Sequence, residues 1–203
     1  MAIGTFNELK AAIADHLNDA GLLPKAEEFI AIAEARHKRE VRIREMIKRS
    51  TATVTGRFLA LPSDYLEAIT FRILTNPVTV LKEINLFEMN RVRQETTGKV
   101  AFFTVHEEIE FDVTPNTSVT GEIIYYANLS ALGPATATNA LLTRAPDVYL
   151  YAALLAAAPF LVEDQRVPLW ESLYVAARDG LKNLDRRAGH IGPQFPRIVG
   201  ATP

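Results

Sequence analysis

The chain contains no cysteine. Disulfide staples, thiolate metal sites and cysteine nucleophiles are therefore excluded, and the absence suits a reducing compartment. No charge of either sign dominates: 22 Lys and Arg stand against 24 Asp and Glu, a formal net charge of -2. Domains that bind nucleic acid over their whole surface are usually strongly basic, so any contact with DNA has to be local. Long hydrophobic runs are missing too. The most apolar uncharged stretch, VYLYAALLAAAPFLV from Val148, has 15 residues and contains Pro159. It is too short to span a bilayer and predicts a buried core helix. The N-terminal MAIGTFNELKAAIADHL has neither a basic n-region nor a clean apolar run, which predicts no secretory signal and a soluble protein. What remains, 48% apolar and 23% charged over 203 residues, is ordinary globular composition, enough for one sizeable core or two small ones.

The first quarter has helical texture. Thr5 and Glu8 form a capping box, and Leu9, Ala12, Ile13 and Leu17 follow at helical spacing. Gly21 is the expected end of that helix and Pro24 the start of the next, which the apolar positions Phe29, Ile30, Ile32, Ala33, Val41, Ile43 and Ile47 carry to Lys48. From Thr51 the pattern changes. TATVTGRFLALP predicts a hairpin, Tyr65–Leu74 a strand, Asn76-Pro77 a turn before Val78–Leu81, and Glu83–Gln94 a short helix. AFFTVHEEIEFDV alternates again, and Gly121–Ala127 is a last strand. Residues 129–139 form a small, polar connecting loop. A helix then begins near Pro146 with Asp147 in its first turn, and a final helix over about 165–188 carries Leu169, Leu173, Ala176, Ala177, Leu181 and Leu184 on one face. The last fifteen residues, GHIGPQFPRIVGATP, hold three Gly and three Pro and predict an extended arm.

The fold class expected from this layout is α+β. Residues 1–50 and 140–188 would form a helical bundle, residues 51–128 an inserted small antiparallel β domain, and residues 189–203 an extended C-terminal arm. No internal repeat is visible.

The stretch EARHKREVRIREM at 34–46 concentrates basic charge, with five Arg or Lys in thirteen residues. Continued as a helix at 100° per residue, it clusters Lys38, Arg42 and Arg49 opposite Ile30, Ala33 and Val41, with Glu45 among them. Arg36 and Arg44 fall nearer the apolar arc, each four residues from Glu40, and Glu40 to Arg44 is the favoured direction for an i,i+4 pair. Three readings follow: a solvated or salt-bridged face, an Arg-rich subunit interface, or DNA contact. The interruption by acidic residues and the lack of a preceding helix-turn put base reading last.

Chemistry is sparse. His16, His37, His106 and His190 are scattered, and none makes a metal motif such as HExxH. His37, on the apolar side of its helix, is expected to be partly buried and satisfied. The cluster His106, Glu108, Glu110 and Asp112 would share one face of a strand; a cation site or an acid/base pair is one reading, and the wet face of a half-buried strand the favoured one. With no glycine-rich phosphate loop and no GxSxG, neither an enzyme nor a cofactor is expected.

Several local signals together resemble a known family. EARHKREVRIREM, the alternation of Thr51, Thr53 and Thr55, and LPSDYLEA at 61–68 are similar to the head–tail adaptor (connector) proteins of tailed phages. So are LLTRAPDVYLYAALLAAAPFLVED and the Trp170/Tyr174 pair on the next helix. The resemblance implies a structural virion protein, assembled in the host cytoplasm. It implies a ring of twelve copies below the portal that extends the DNA channel, touches passing DNA without sequence specificity and offers an attachment surface to a tail (nozzle or stopper) protein. It also implies an arm that docks on the portal. As a region, that arm supplies Ile191, Phe195, Ile198 and Val199, apolar residues with no core of their own to join. Burying each against a partner contributes ~1.5–3 kcal/mol before the ordering cost. Lys38, Arg42 and Arg49 then become candidates for the ring interface or the channel, and Arg36, Glu40 and Arg44 for pairing within the helix. The alternatives are a small DNA-binding protein using the basic helix 36–49 and a metal-binding or hydrolytic module using the His106–Asp112 cluster.

Overall fold

Thr5 opens the chain's first helix as expected: its hydroxyl accepts from the Glu8 amide and the Glu8 carboxylate accepts from the Thr5 amide at 3.0 Å. The structure, a computed structural model, describes residues 3–161 and 165–189. Helix α1 (Phe6–Leu17) ends four residues before Gly21, because Asn18 takes the left-handed capping conformation at φ 54. Gly21 and Pro24 lie instead in a 3-10 turn, Ala20–Lys25, and helix α2 (Ala26–Glu40) follows.

The expected extension of this helix to Lys48 does not occur. Val41 is extended, with φ -106 and ψ 128. Val41 and Ile43 point into the core at 1% and 0% exposure while Arg42 points out. β-Branched residues two apart satisfy an extended segment better than a helix, and burial decides between them. After a short 3-10 turn, Arg44–Met46, strand β1 (Ile47–Val54) begins.

The β region is built from β1, β2 (Phe58–Ala60), β3 (Tyr65–Ile73), β4 (Thr79–Val80), β5 (Lys82–Glu83), helix α3 (Leu86–Val92), β6 (Thr97–Gly98), β7 (Phe102–Val105), β8 (Glu108–Phe111), β9 (Thr114–Pro115) and β10 (Val119–Ala127). The hairpin expected across Gly56 is absent. β1 pairs antiparallel with β10 and β2 with β8, so the chain crosses from one sheet to the other there. The sheets have the orders β1-β10-β3-β4 and β2-β8-β7-β5, and β6 pairs with β9. Ile47 lies opposite Tyr126, so the region's first and last strands begin and end side by side. Between the sheets Phe71, Phe103 and Phe111 form an aromatic centre, with Phe71 5.7 and 5.2 Å from the other two ring centroids. Gly121 lies under Phe71: a Cβ there would meet its ring at 2.5 Å.

After the 129–139 loop come α4 (Ala140–Arg144), α5 (Pro146–Ala157) and α6 (Val167–Gly189). Helix α5 is apolar all round and buries Val148, Tyr149, Leu150, Ala152, Ala153, Leu154 and Ala157. It sits among α1, α2 and α6. The molecule is thus mixed α+β, with six α-helices among the described residues and mainly antiparallel sheets. Most of its buried apolar residues fall into two clusters, one mainly from the helices and one from the strands.

Candidate functional site

The basic segment at 34–46 is where the chain passes from helix to sheet, and most of its charges are engaged. Arg36 donates from Nε to Glu40 at 3.0 Å and from NH2 to Glu171 of α6 at 3.0 Å, with its guanidinium 4.0 Å from the Tyr174 ring centroid. Glu40 also accepts from Arg178 at 2.7 Å and from the Tyr174 hydroxyl at 3.0 Å. Burial alone would raise the Glu40 carboxyl; hydrogen bonds from Arg178, Arg36 and Tyr174 outweigh it and hold the group at about 2. The expected Glu40–Arg44 pair does not form, because the helix has ended. The Arg44 amide instead donates to Asp185 at 2.6 Å, and its guanidinium lies 3.6 Å from Glu45 and 3.8 Å from Asp185. Arg144 of α4 bridges the same two acids, at 2.6 Å to Asp185.

These contacts form a ladder. Arg36, Glu40 and Arg44 recur every four residues with signs plus, minus, plus; Glu171, Arg178 and Asp185 recur every seven along α6 with signs minus, plus, minus. Two helical turns of α6 thus meet one step of the opposite row. The acid–base–acid row is present in the sequence of α6 but stands behind the stronger apolar periodicity of the same helix.

The proposed cluster of Lys38, Arg42 and Arg49 is not assembled, since the three residues lie on three different pieces of backbone. Lys38 is exposed in the last turn of α2. Arg42, in the extended connection, donates from Nε to Glu67 at 2.7 Å and from NH1 to the carbonyls of Lys38 and Val41. Arg49 sits on β1 opposite Ile124, exposed and without an ion pair among the described residues. The proposed arm residues Ile191, Phe195, Ile198 and Val199 lie outside the described residues.

His37 is more deeply buried than expected, at 4% exposure; its ring has the Val148 backbone as a polar neighbour, too poorly aligned to make a full hydrogen bond. Its ring packs edge-on against Tyr149 at 4.7 Å and stacks with Tyr174 at 6.4 Å. Burial pushes its pKa down to about 4. A cavity of about 20 Å³ between His37, Glu34, Met46, Leu129 and Tyr149 has room for one water. Glu34 accepts there from the Leu132 amide at 2.7 Å and from the Tyr149 hydroxyl at 3.3 Å, which ties the 129–139 loop to α2 and α5.

The carboxylate cluster at 106–112 is split by a turn at His106-Glu107 between β7 and β8, so it is neither one strand nor a wet face. Glu110 and Asp112 are buried, at 4% and 6% exposure. Asp112 accepts from the amides of Ala101 and Phe102, a structural tie within the β region. Glu110 lies 3.2 Å from His106 and 3.9 Å from Arg93. Among the described residues no three His, Asp or Glu side chains are placed to hold a metal ion. No described helix is long and apolar enough to cross a membrane.

The face expected along α6 also divides. Trp170, Tyr174 and Leu181 are buried, whereas Leu169 and Leu184 stand 56% and 59% exposed. Side chains fastened by ion pairs on one flank of a helix and left apolar and uncovered on the other suit a protein that works by contact. A comparison with curated proteins finds no match. Residues 4–197 match the SU10 adaptor protein family, and the chain belongs to that family of phage head–tail adaptors.

Proposed function

We propose that the protein is a ring-forming subunit seated between the portal and the tail, lengthening the channel through which DNA passes and carrying no catalytic step. Membership of the adaptor family supports a virion component that meets portal and tail proteins. The observation that carries the finer reading is the extent of the match, residues 4–197, which takes in both clusters of buried apolar residues and runs into the C-terminal segment. On this reading the helical body forms the ring wall and residues 189–203 dock on the portal through Ile191, Phe195, Ile198 and Val199, with ring copies adding avidity. A portal with twelve-fold symmetry sets twelve copies. Lys38 and Arg49 are free to meet phosphates as the DNA passes, while Arg36 and Arg42 are held by carboxylates.

Light scattering of the protein alone and mixed with the portal protein of the same phage genome tests this. The expected result is a ring-sized complex with the portal that is lost when residues 189–203 are deleted. A chain that stays monomeric in the presence of portal overturns the reading. The DNA-binding alternative predicts affinity that falls steeply with salt and collapses on charge reversal of Lys38 and Arg49. With those two on separate elements, only weak affinity is expected.

A further inference from the structure

Helix α6 carries an apolar stripe that the described residues leave open. At 100° per residue, Glu171, Arg178 and Asp185 share one flank, the flank fastened to α2 and to the connection that follows it. Leu169, Leu173, Ala176, Gly180 and Leu184 fall on the other flank. Leu169 and Leu184 are 56% and 59% exposed, and Ala176 and Gly180 are also exposed. Gly180 stands in the middle of a helix of 23 residues, and a Cβ built on it meets nothing within 4 Å. A mid-helix glycine costs about 1 kcal/mol relative to alanine. Nothing among the described residues explains it, whereas a second helix passing close over Gly180 would.

Helix α2 has the matching surface. Its outward face presents Glu28, Ala31, Ile32, Ala35 and Arg39, with Ile32 53% exposed. Laid antiparallel, the two stripes fit one register: Leu184 meets Ala31, Gly180 meets Ala35, and Ile32 falls between Leu184 and Gly180. In the same register Arg187 meets Glu28 at one end, and Arg39 lies within a turn of Asp179 at the other. Glu28, Arg39 and Arg187 have no ion-pair partner among the described residues, so both ends gain a pair. The reverse direction brings Arg187 toward Arg39.

We infer that the α6 stripe is the seam between neighbouring copies and that its occupant is the outer face of α2 from the next copy. Two different surfaces meeting head to tail make a heterologous contact, the kind that closes rings rather than two-fold dimers. The inference rests on the ring reading above and names its interface.

The absence of native cysteine makes the test clean. Chains carrying Ala35→Cys alone are mixed with chains carrying Gly180→Cys alone, assembled with the portal protein and oxidised. A head-to-tail seam gives the 35–180 cross-link and few 35–35 or 180–180 products. Homodimeric cross-links alone would replace the seam with a two-fold contact. Ring-sized mass without any cross-link would put the interface elsewhere and leave the ring reading standing, whereas failure of the wild type to assemble with portal overturns both. If the thiol introduced by Gly180→Cys is protected from a thiol reagent in the monomer, and deleting residues 190–203 removes that protection, the occupant is the chain's own end and the seam is overturned. Two further variants separate folding from assembly. Gly180→Leu should raise the thermal midpoint of the monomer yet weaken assembly at least tenfold. Glu28→Arg should weaken assembly and Arg187→Glu should restore it; assembly unchanged by Glu28→Arg overturns the register.

Discussion

His37 makes the helical core sensitive to mild acid. The folded protein holds its ring neutral with a pKa of about 4, against 6.5 in the unfolded chain, so protons bind the unfolded state first. Stability is present in full above pH 6.5 and declines as the pH falls to about 4, where the loss from this group reaches roughly 3 kcal/mol. Urea midpoints read from Trp170 fluorescence between pH 7 and 4.5 should show the decline, and His37→Phe should flatten it. The same slope in the variant would remove His37 as the cause. Glu40 acts in a lower window. Its pKa is depressed to about 2, so its contribution holds above 4.5 and is lost as pH drops toward 2. Glu40→Gln at neutral pH removes the charge between Arg36 and Arg178 and turns an amide donor toward donors on one side, and it should cost roughly 1–3 kcal/mol in a denaturation curve. At this scale the sequence was partly legible. The Arg36–Glu40 spacing is visible in the letters, and the structure makes the pair. The third member of the acceptor's shell, Arg178, lies 138 residues away and no local spacing points to it.

At the scale of elements, what local physics controls was readable and what distant pairing controls was not. The capping box of α1, the Pro-started α5 and the long strand at 65–73 follow from nearest-neighbour chemistry. The end of α2 at Glu40 follows from which side chains the core accepts, since Val41 and Ile43 fit a helical stripe as well as an extended one until their surroundings are known. The missed crossing between β1 and β2 has a similar cause. An alternating strand states which face is buried but not which strand lies beside it. β1 finds its partner in β10, with Ser50 opposite Ile123. The partner on the other side of β10 is β3, which lays Phe71 over Gly121 and reverses the usual sign of a strand Gly→Ala change. Gly121→Ala should destabilise the protein by roughly 1–3 kcal/mol through overpacking against Phe71 and Val54. A neutral or stabilising outcome would mean the ring swings aside at no cost.

Across the whole molecule, among the described residues, most buried apolar side chains form two clusters, linked by Leu66 and Tyr126 packing on the helical side and by the Arg42–Glu67 pair. Its single tryptophan, Trp170, belongs to the helical cluster. Urea curves of Gly121→Ala should therefore separate by probe: the far-ultraviolet strand signal should shift to lower urea more than the Trp170 signal. Coincident shifts would make the molecule one cooperative unit. A helix–sheet–helix layout was legible from the change of periodicity along the chain. The ladder that fastens α6 was not, because its two rows use different spacings on elements far apart in sequence. That ladder also sets how α6 bears mechanical load. Its rungs are spread along the helix from Glu171 to Asp185, about 21 Å at the α-helical rise. A pull along the axis from the C-terminal end strains every rung at once, in shear, whereas a sideways pull peels them off singly. The protomer is therefore stiff along α6 and compliant across it.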